Sequence, residues 1–304
     1  MDATEMTVET PDGVRLAVAD TGRGAPIVFL HEYAGDQRSW AGQVAVLAAD
    51  HRCVTYAARG YLPSDVPADP AAYSWERAVS DVVAVLDALD LESAHVVGLS
   101  MGGYTALQFG LRHPGRVRSI VAASVGSGSD PATRPAYLAE TEVVAAELRA
   151  RGADFVGRRM AEGPSRVQLK AADPAAWDEM VAQFAEHSVE GLAHTIVEIQ
   201  GRRPSLHALV DDLAGLRVPL LVVNGDEDEA CLSTGVLLKR TVPACGLVVL
   251  PNTGHVPNLE DPRRFGDLIR WFLGRVRAGA WPERDPRSRT VLQFDLDRTE
   301  SVAG

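Results

Sequence analysis

The sequence has little of what would mark a secreted, metal-binding, membrane or nucleic-acid-binding protein. Three cysteines, Cys53, Cys231 and Cys245, occur in 304 residues. An odd number cannot all pair, and a chain of this size needs no disulfide staples, so reduced thiols in a cytoplasmic protein are expected. The eight histidines include no His-Glu-x-x-His. Gly22-Arg23-Gly24 precedes an apolar strand where a dinucleotide loop would follow one, so neither a metal nor a nucleotide cofactor is expected. No apolar run approaches the length of a membrane span, and Met1-Asp2-Ala3-Thr4-Glu5 lacks the positive-then-apolar order of a signal peptide. Lys and Arg number 30 against 41 Asp and Glu, a formal net charge of −11. With no basic stretch interleaved with aromatics, nucleic acid is not an expected partner. What is present is 46% hydrophobic and 23% charged, enough to bury a full core in one domain with an insertion or in two. A small-molecule substrate is the expected partner, with self-association left open.

The apolar pattern alternates between short runs and helical periods. Thr7 to Thr10 and Val14 to Ala19 read as a hairpin around Pro11-Asp12-Gly13, with the Asp-Gly pair as its turn. Then follow a strand at Ile27 to Leu30, a helix at Ser39 to Ala49, a strand at Cys53 to Tyr56, a helix at Trp75 to Leu89 and a strand at Ala94 to Val97. Another helix at Tyr104 to Arg112 and a strand at Ser119 to Ala123 complete this part. Such alternation predicts an α/β fold, a mostly parallel central sheet with helices on both faces. It stops after Ser124. From about Ser127 to Leu213 only helical periods remain: Tyr137 to Arg151 closing at Gly152, Pro174 to Glu186 opened by Asp173, and Val189 to Gln200 closing at Gly201. Strands resume with Val218 to Val223 and Gly246 to Leu250, and a helix from Pro262 to Val276 ends the core. The predicted division is 1–126 with 214–277 as the core, 127–213 as a helical insertion, and 278–304 as a tail, either solvated or an arm on a partner subunit.

Val96-Val97-Gly98-Leu99-Ser100-Met101-Gly102-Gly103 places a serine between glycines where a strand becomes a helix. Glycines two before and two after let neighbouring backbones approach, leaving the hydroxyl exposed at the end of the sheet. A serine is a weak nucleophile without a base and an orienting acid. Both follow in chain order. Asn224-Gly225-Asp226-Glu227-Asp228 stands at the carboxyl end of a continuously apolar strand, where a carboxylate faces the site edge of the sheet. Pro251-Asn252-Thr253-Gly254-His255 lies on the loop after the last strand.

On these residues the chain resembles the α/β-hydrolase fold family over nearly its whole length. The resemblance implies Ser100 as nucleophile, His255 as base and Asp228 as acid, with Asp226 the runner-up. Gly254-His255 with Glu260-Asp261-Pro262 matches the family's histidine segment. It also implies an oxyanion hole from the Met101 N–H and a second N–H on the loop His31-Glu32-Tyr33-Ala34-Gly35, for which Tyr33 is the candidate. Glu32 stands where the family usually has glycine. A carboxylate beside a forming oxyanion opposes it by like-charge repulsion, so Glu32 is expected to turn away and pair with a cation, with Arg59, on the segment after the next strand, as the candidate partner. His31 and Glu32 are candidate substrate-binding residues. The insertion resembles the family's helical cap, which covers the site and excludes water.

The elbow and compact cap look most like 3-oxoadipate enol-lactonase-type hydrolases and small carboxylesterases. The expected function is therefore hydrolysis of a small-molecule ester or lactone through an acyl-enzyme. Carbon–carbon hydrolysis or perhydrolysis on the same residues is one alternative. A non-catalytic ligand-binding receptor of the same fold is the other, and Glu32 is the feature that favours it.

Overall fold

The computed structural model describes residues 3–289, so the tail beyond 289 lies outside the described residues. Thr4–Glu9 (β1) and Arg15–Gly22 (β2) form the antiparallel hairpin. Its connection is longer than the Asp-Gly pair alone. Register pairs Glu9 with Arg15, and Thr10 closes the loop by taking the Val14 N–H on its hydroxyl while Gly13 sits at φ 82°, a conformation that glycine adopts without side-chain strain.

Ala25–Leu30 (β3), α1 (Ala41–Leu47), His51–Tyr56 (β4), α2 (Trp75–Ala88), Ala94–Leu99 (β5), α3 (Met101–Arg112) and Val117–Ala123 (β6) follow in order. Helix α1 is shorter than the apolar period predicts, because Asp36 caps a tight 3₁₀ turn over Gln37–Trp40 that takes up its first residues. Between β6 and Leu220–Gly225 (β7) lie α4 (Arg134–Ala161), α5 (Val167–Ala172), α6 (Pro174–Ala185), α7 (Val189–His194) and α8 (Val210–Ala214). Helix α9 (Glu229–Thr241) leads to Cys245–Leu250 (β8), and α10 (Pro257–Glu260) and α11 (Pro262–Arg277) close the core.

The eight strands run β1-β2-β4-β3-β5-β6-β7-β8, parallel from β4 to β8. Alternate residues of the central strands feed two separate cores. Val28, Leu30, Val96, Ile120 and Val222 pack with Leu86, Leu107 and Phe109 of α2 and α3. Ile27, Phe29, Val97, Val121 and Val223 pack with Leu47 of α1 and Phe265, Ile269 and Phe272 of α11. A strand covered on both faces is mostly apolar, which is why β7 opens as the continuous run Leu220 to Val223. Each such side chain contributes roughly 1.5–3 kcal/mol by leaving water.

The insertion departs from its sequence pattern in two places. Gly152, at φ 84°, ψ 169°, ends the first helical winding where the sequence expects it, but a second winding that the sequence did not announce starts at once and carries α4 through Ala161. The Val189 segment is α-helical only to His194, then widens into a π-turn over Thr195–Gly201. Tyr33, Tyr61 and Met101 from the core loops pack with Leu148, Val156, Phe184, Leu192 and Ile196 of the insertion in a third apolar cluster. The described part of the tail is mostly exposed and is anchored to the core at Trp281. Trp281 packs edge-on against Phe272 with ring centres 4.6 Å apart, and donates from Nε1 to the Ala244 carbonyl at 2.9 Å. No helix among the described residues is long and apolar enough to cross a membrane.

Candidate active site

Ser100 terminates β5 in a backbone conformation of φ 52°, ψ −107°, a strained region for a residue with a side chain. What holds it there is close backbone packing. A Cβ on Gly98 would fall 2.2 Å from the Gly102 carbonyl oxygen, and one on Gly102 would fall 2.1 Å from that of Leu30. Only glycine permits these approaches, and the Ser100 N–H is fixed by the Ala123 carbonyl at 2.8 Å. The serine therefore points away from the sheet at the start of α3.

The two partners come from the ends of β7 and β8. His255 Nδ1 donates to Asp228 Oδ2 at 2.8 Å, both side chains being buried. Burial pushes the Asp228 carboxyl up, but the His255 ring beside it, its hydrogen bonds and the Arg166 guanidinium outweigh that and hold it below the usual carboxylate value. Asp226, the alternative acid, is exposed and accepts only the Thr253 N–H, at 3.2 Å; it orders the loop without reaching the imidazole. Glu260 fixes the backbone on both sides of the histidine, accepting from Gly254 N–H at 2.6 Å and Val256 N–H at 3.1 Å. That gives the Glu of the histidine segment a physical task.

Ser100, Asp228 and His255 all reach one cavity of about 400 Å³, together with Glu32 and Tyr33 from the loop after β3. The Met101 N–H opens α3, where a backbone N–H has no acceptor within the helix. Among the described residues the Tyr33 N–H has no protein acceptor either. The Tyr33 peptide is oriented from two sides: its carbonyl accepts from Tyr61 Oη at 2.8 Å, and its own hydroxyl donates to the Leu192 carbonyl of α7 at 3.1 Å.

Two expectations for this loop need correction. Glu32 does not pair with Arg59. Its Oε2 accepts from Arg166 Nη2 at 2.5 Å and lies 4.0 Å from His255 Nε2, with only 4% of the Glu32 and 6% of the Arg166 side chain exposed. Arg59 is instead held by Asp81 and Asp12 behind the loop. His31 does not line the cavity. The Ala58 N–H donates to its Nε2 at 3.0 Å, so the proton sits on Nδ1, which donates to the Glu32 carbonyl at 2.7 Å. Burial holds its pKa below the ordinary value, and this neutral ring ties the β3 loop to the β4 loop.

Arg166 and Cys231 carried no motif in the sequence. Arg166 ends a 3₁₀ turn, Pro164–Arg166, and only the pattern Gly163-Pro164 announces a turn there. Cys231 Sγ donates to the Ser124 carbonyl at 3.2 Å and lies 3.9 Å from His255 Nδ1. Burial raises this thiol well above its ordinary value, so it is protonated at neutral pH and no rival nucleophile to Ser100. Asp228, Cys231 and His255 are the described group whose donor types could hold a metal. The hydrogen bond between Asp228 and His255 already occupies two of those three atoms.

A family model described as alpha/beta hydrolase fold matches residues 25–262. The chain is 28% identical to a putative 2-succinyl-6-hydroxy-2,4-cyclohexadiene-1-carboxylate synthase of Bacillus subtilis over 89% of this chain and 99% of that one. It is also 28% identical to 3-oxoadipate enol-lactonase 1 of Acinetobacter baylyi, over 87% and 95%. A thermophilic esterase from Thermogutta terrifontis superposes with a TM-score of 0.80 at 26% identity, covering 90% of this chain and 99% of that one.

Proposed function

The chain belongs to the alpha/beta hydrolase fold family, and from that premise we propose that it is a serine hydrolase cleaving a small-molecule ester or lactone through an acyl-enzyme. One observation carries the proposal. A serine on a strained turn shares a cavity with a buried imidazole whose other nitrogen is bonded to a carboxylate, the geometry of nucleophile, base and orienting acid.

In this reading Ser100 Oγ attacks the acyl carbon and its proton passes to His255 Nε2. Asp228 holds the ring by its Nδ1–H and stabilises the imidazolium. The oxyanion takes the N–H groups of Met101 and Tyr33, donors that need no reorganisation at the moment of reaction. Collapse expels the alcohol, which takes the proton from His255. Water, deprotonated by the same nitrogen, then attacks the acyl-enzyme, and the acid leaves with Ser100 restored. The insertion, at residues 127–213, serves as a cap: α4, the Pro164–Arg166 turn and the π-turn supply one wall of the cavity and exclude bulk water.

The test is labelling with a fluorophosphonate probe, read by mass spectrometry. Rapid phosphonylation confined to Ser100, absent in His255→Ala, is the expected result. No labelling of native protein would overturn the proposal and favour a binding module of the same fold.

A further inference from the structure

The cavity beside Ser100 is weighted towards negative charge. Glu32, Glu140, Glu147 and Asp228 reach it, against two guanidiniums, Arg159 and Arg166. Each cation has a carboxylate beside it. Arg166 is bonded to Glu32 at 2.5 Å with both side chains almost fully buried, while Arg159, mostly exposed at the rim, stands 3.9 Å from Glu147, beyond hydrogen-bond length. Asp228 is committed to the His255 ring.

A carboxylate arriving on the acyl chain therefore meets, among the described residues, an excess of acids and no buried guanidinium that lacks a carboxylate partner. To take the Arg166 charge as its own counter-ion it must displace Glu32. That carboxylate would be left buried and without its cation, 4.0 Å from His255 Nε2, and an uncompensated buried charge is among the costliest arrangements in a protein. An uncharged acyl group leaves the pair intact and packs against Val144, Val156 and Ile196 of the same cavity. We infer that this site accepts esters and lactones with an uncharged acyl group and rejects those whose acyl group carries a carboxylate, Glu32 and Arg166 together setting the preference. The inference rests on the hydrolase reading and narrows its substrate class.

The test uses two esters matched in length, p-nitrophenyl hexanoate and mono-p-nitrophenyl adipate, with the wild-type chain. The expected kcat/KM is at least about 30-fold higher for the hexanoate, the size of one like-charge contact across several ångströms of partly screened cavity. The gap should narrow as sodium chloride is raised. In Glu32→Gln the guanidinium is released from its charged partner, and the ratio should move at least about tenfold towards the adipate ester. Because Glu32 adjoins the reacting groups, the ratio is the readout, in which a common loss of turnover cancels. Equal or better turnover of the adipate ester by wild type, or a ratio unmoved by Glu32→Gln, overturns the inference. Turnover of neither ester would overturn the hydrolase reading instead. The charge preference would then be read from the Kd of both esters by calorimetry, tighter binding of the adipate ester overturning it and of the hexanoate supporting it.

Discussion

Two arginines are buried near the β3 loop, and they are bonded in opposite ways. Arg59 commits all three nitrogens: Nε and Nη2 to Asp81 at 2.8 and 2.6 Å, Nη1 and Nη2 to Asp12 at 2.9 and 3.2 Å, and Nη1 also to the Ala72 carbonyl at 2.7 Å. Arg166 makes one charged hydrogen bond, to Glu32, and a 3.2 Å bond from Nη1 to the neighbouring Ser165 carbonyl. The saturated arginine ties together the β1–β2 loop, the segment after β4 and α2, all of the core. The sparsely bonded one joins the insertion to the core at the cavity wall. Buried charge with every donor satisfied is architecture, whereas buried charge with unused donors beside a reactive serine is available for chemistry or selection.

The contrast is broken if chemistry does not lie on the Arg166 side, so the first prediction concerns the serine. Ser100→Ala should lower ester turnover by about 10⁴ or more, since losing a nucleophile removes a unit that acts as a whole, with urea-unfolding stability changed by less than about 1 kcal/mol. Turnover retained within about tenfold would break the assignment. Next, Asp228→Asn should cost about 10⁴ in kcat, as in the serine-protease precedent for that change, and Asp226→Asn less than about tenfold. The reverse order would exchange the two carboxylates.

The third prediction separates the arginines. Arg59→Met should lose about 3–5 kcal/mol in chemical denaturation, because it strands the buried Asp81 carboxylate, while kcat of the folded fraction stays within about twofold. Glu32→Gln should do the opposite, costing less than about 2 kcal/mol of stability and altering the pH profile of kcat/KM. Profiles of identical shape with a large stability loss would place Glu32 with the architectural group.

The smallest effect sharpens the architectural side alone. Burial lowers the pKa of His95 from 6.5 to about 4, and it lowers that of His31 as well. The unfolded chain takes up protons below pH 6.5 that the folded chain refuses, so their contribution is full above pH 6.5 and lost as the pH falls towards 4. Unfolding free energy should drop by about 3 kcal/mol for His95 over that window, with His31 acting in the same direction, and His95→Asn should flatten part of the slope.

The elements of the sheet and the residues at its carboxyl edge were legible because each rests on a local signal. Val-rich runs, the capping residue Asp173, and the Gly98 and Gly102 spacing all act within a few positions. Asp228 was separable from Asp226 only by resemblance; the physical difference, buried against exposed, is tertiary. The partner of Glu32 was illegible because Arg166 lies 134 residues away in a segment whose turn shows only local chemistry. Arg59 was paired with Glu32 because it follows the adjacent strand, but the fold turns its side chain towards Asp81 and Asp12 behind the loop. The resumed helix after Gly152 and the π-turn over Thr195–Gly201 were missed for a related reason. Packing against the core loops decides whether a chain continues past a local stop signal.

Strands β6 and β7 are hydrogen-bonded neighbours, Ile120 beside Leu220, although the entire insertion is strung between them. The entropy of closing a loop grows only with the logarithm of its length, each doubling adding about 0.6 kcal/mol. Lengthening the part of the insertion between Ser127 and Arg203 therefore adds little closure cost to the sheet, while it exchanges a whole wall of the cavity. Ser100, Asp228 and His255 can stay fixed on strand ends while natural variation or an engineer grafts a different ceiling above them, and a graft lacking Arg166 would leave Glu32 in need of a new cation.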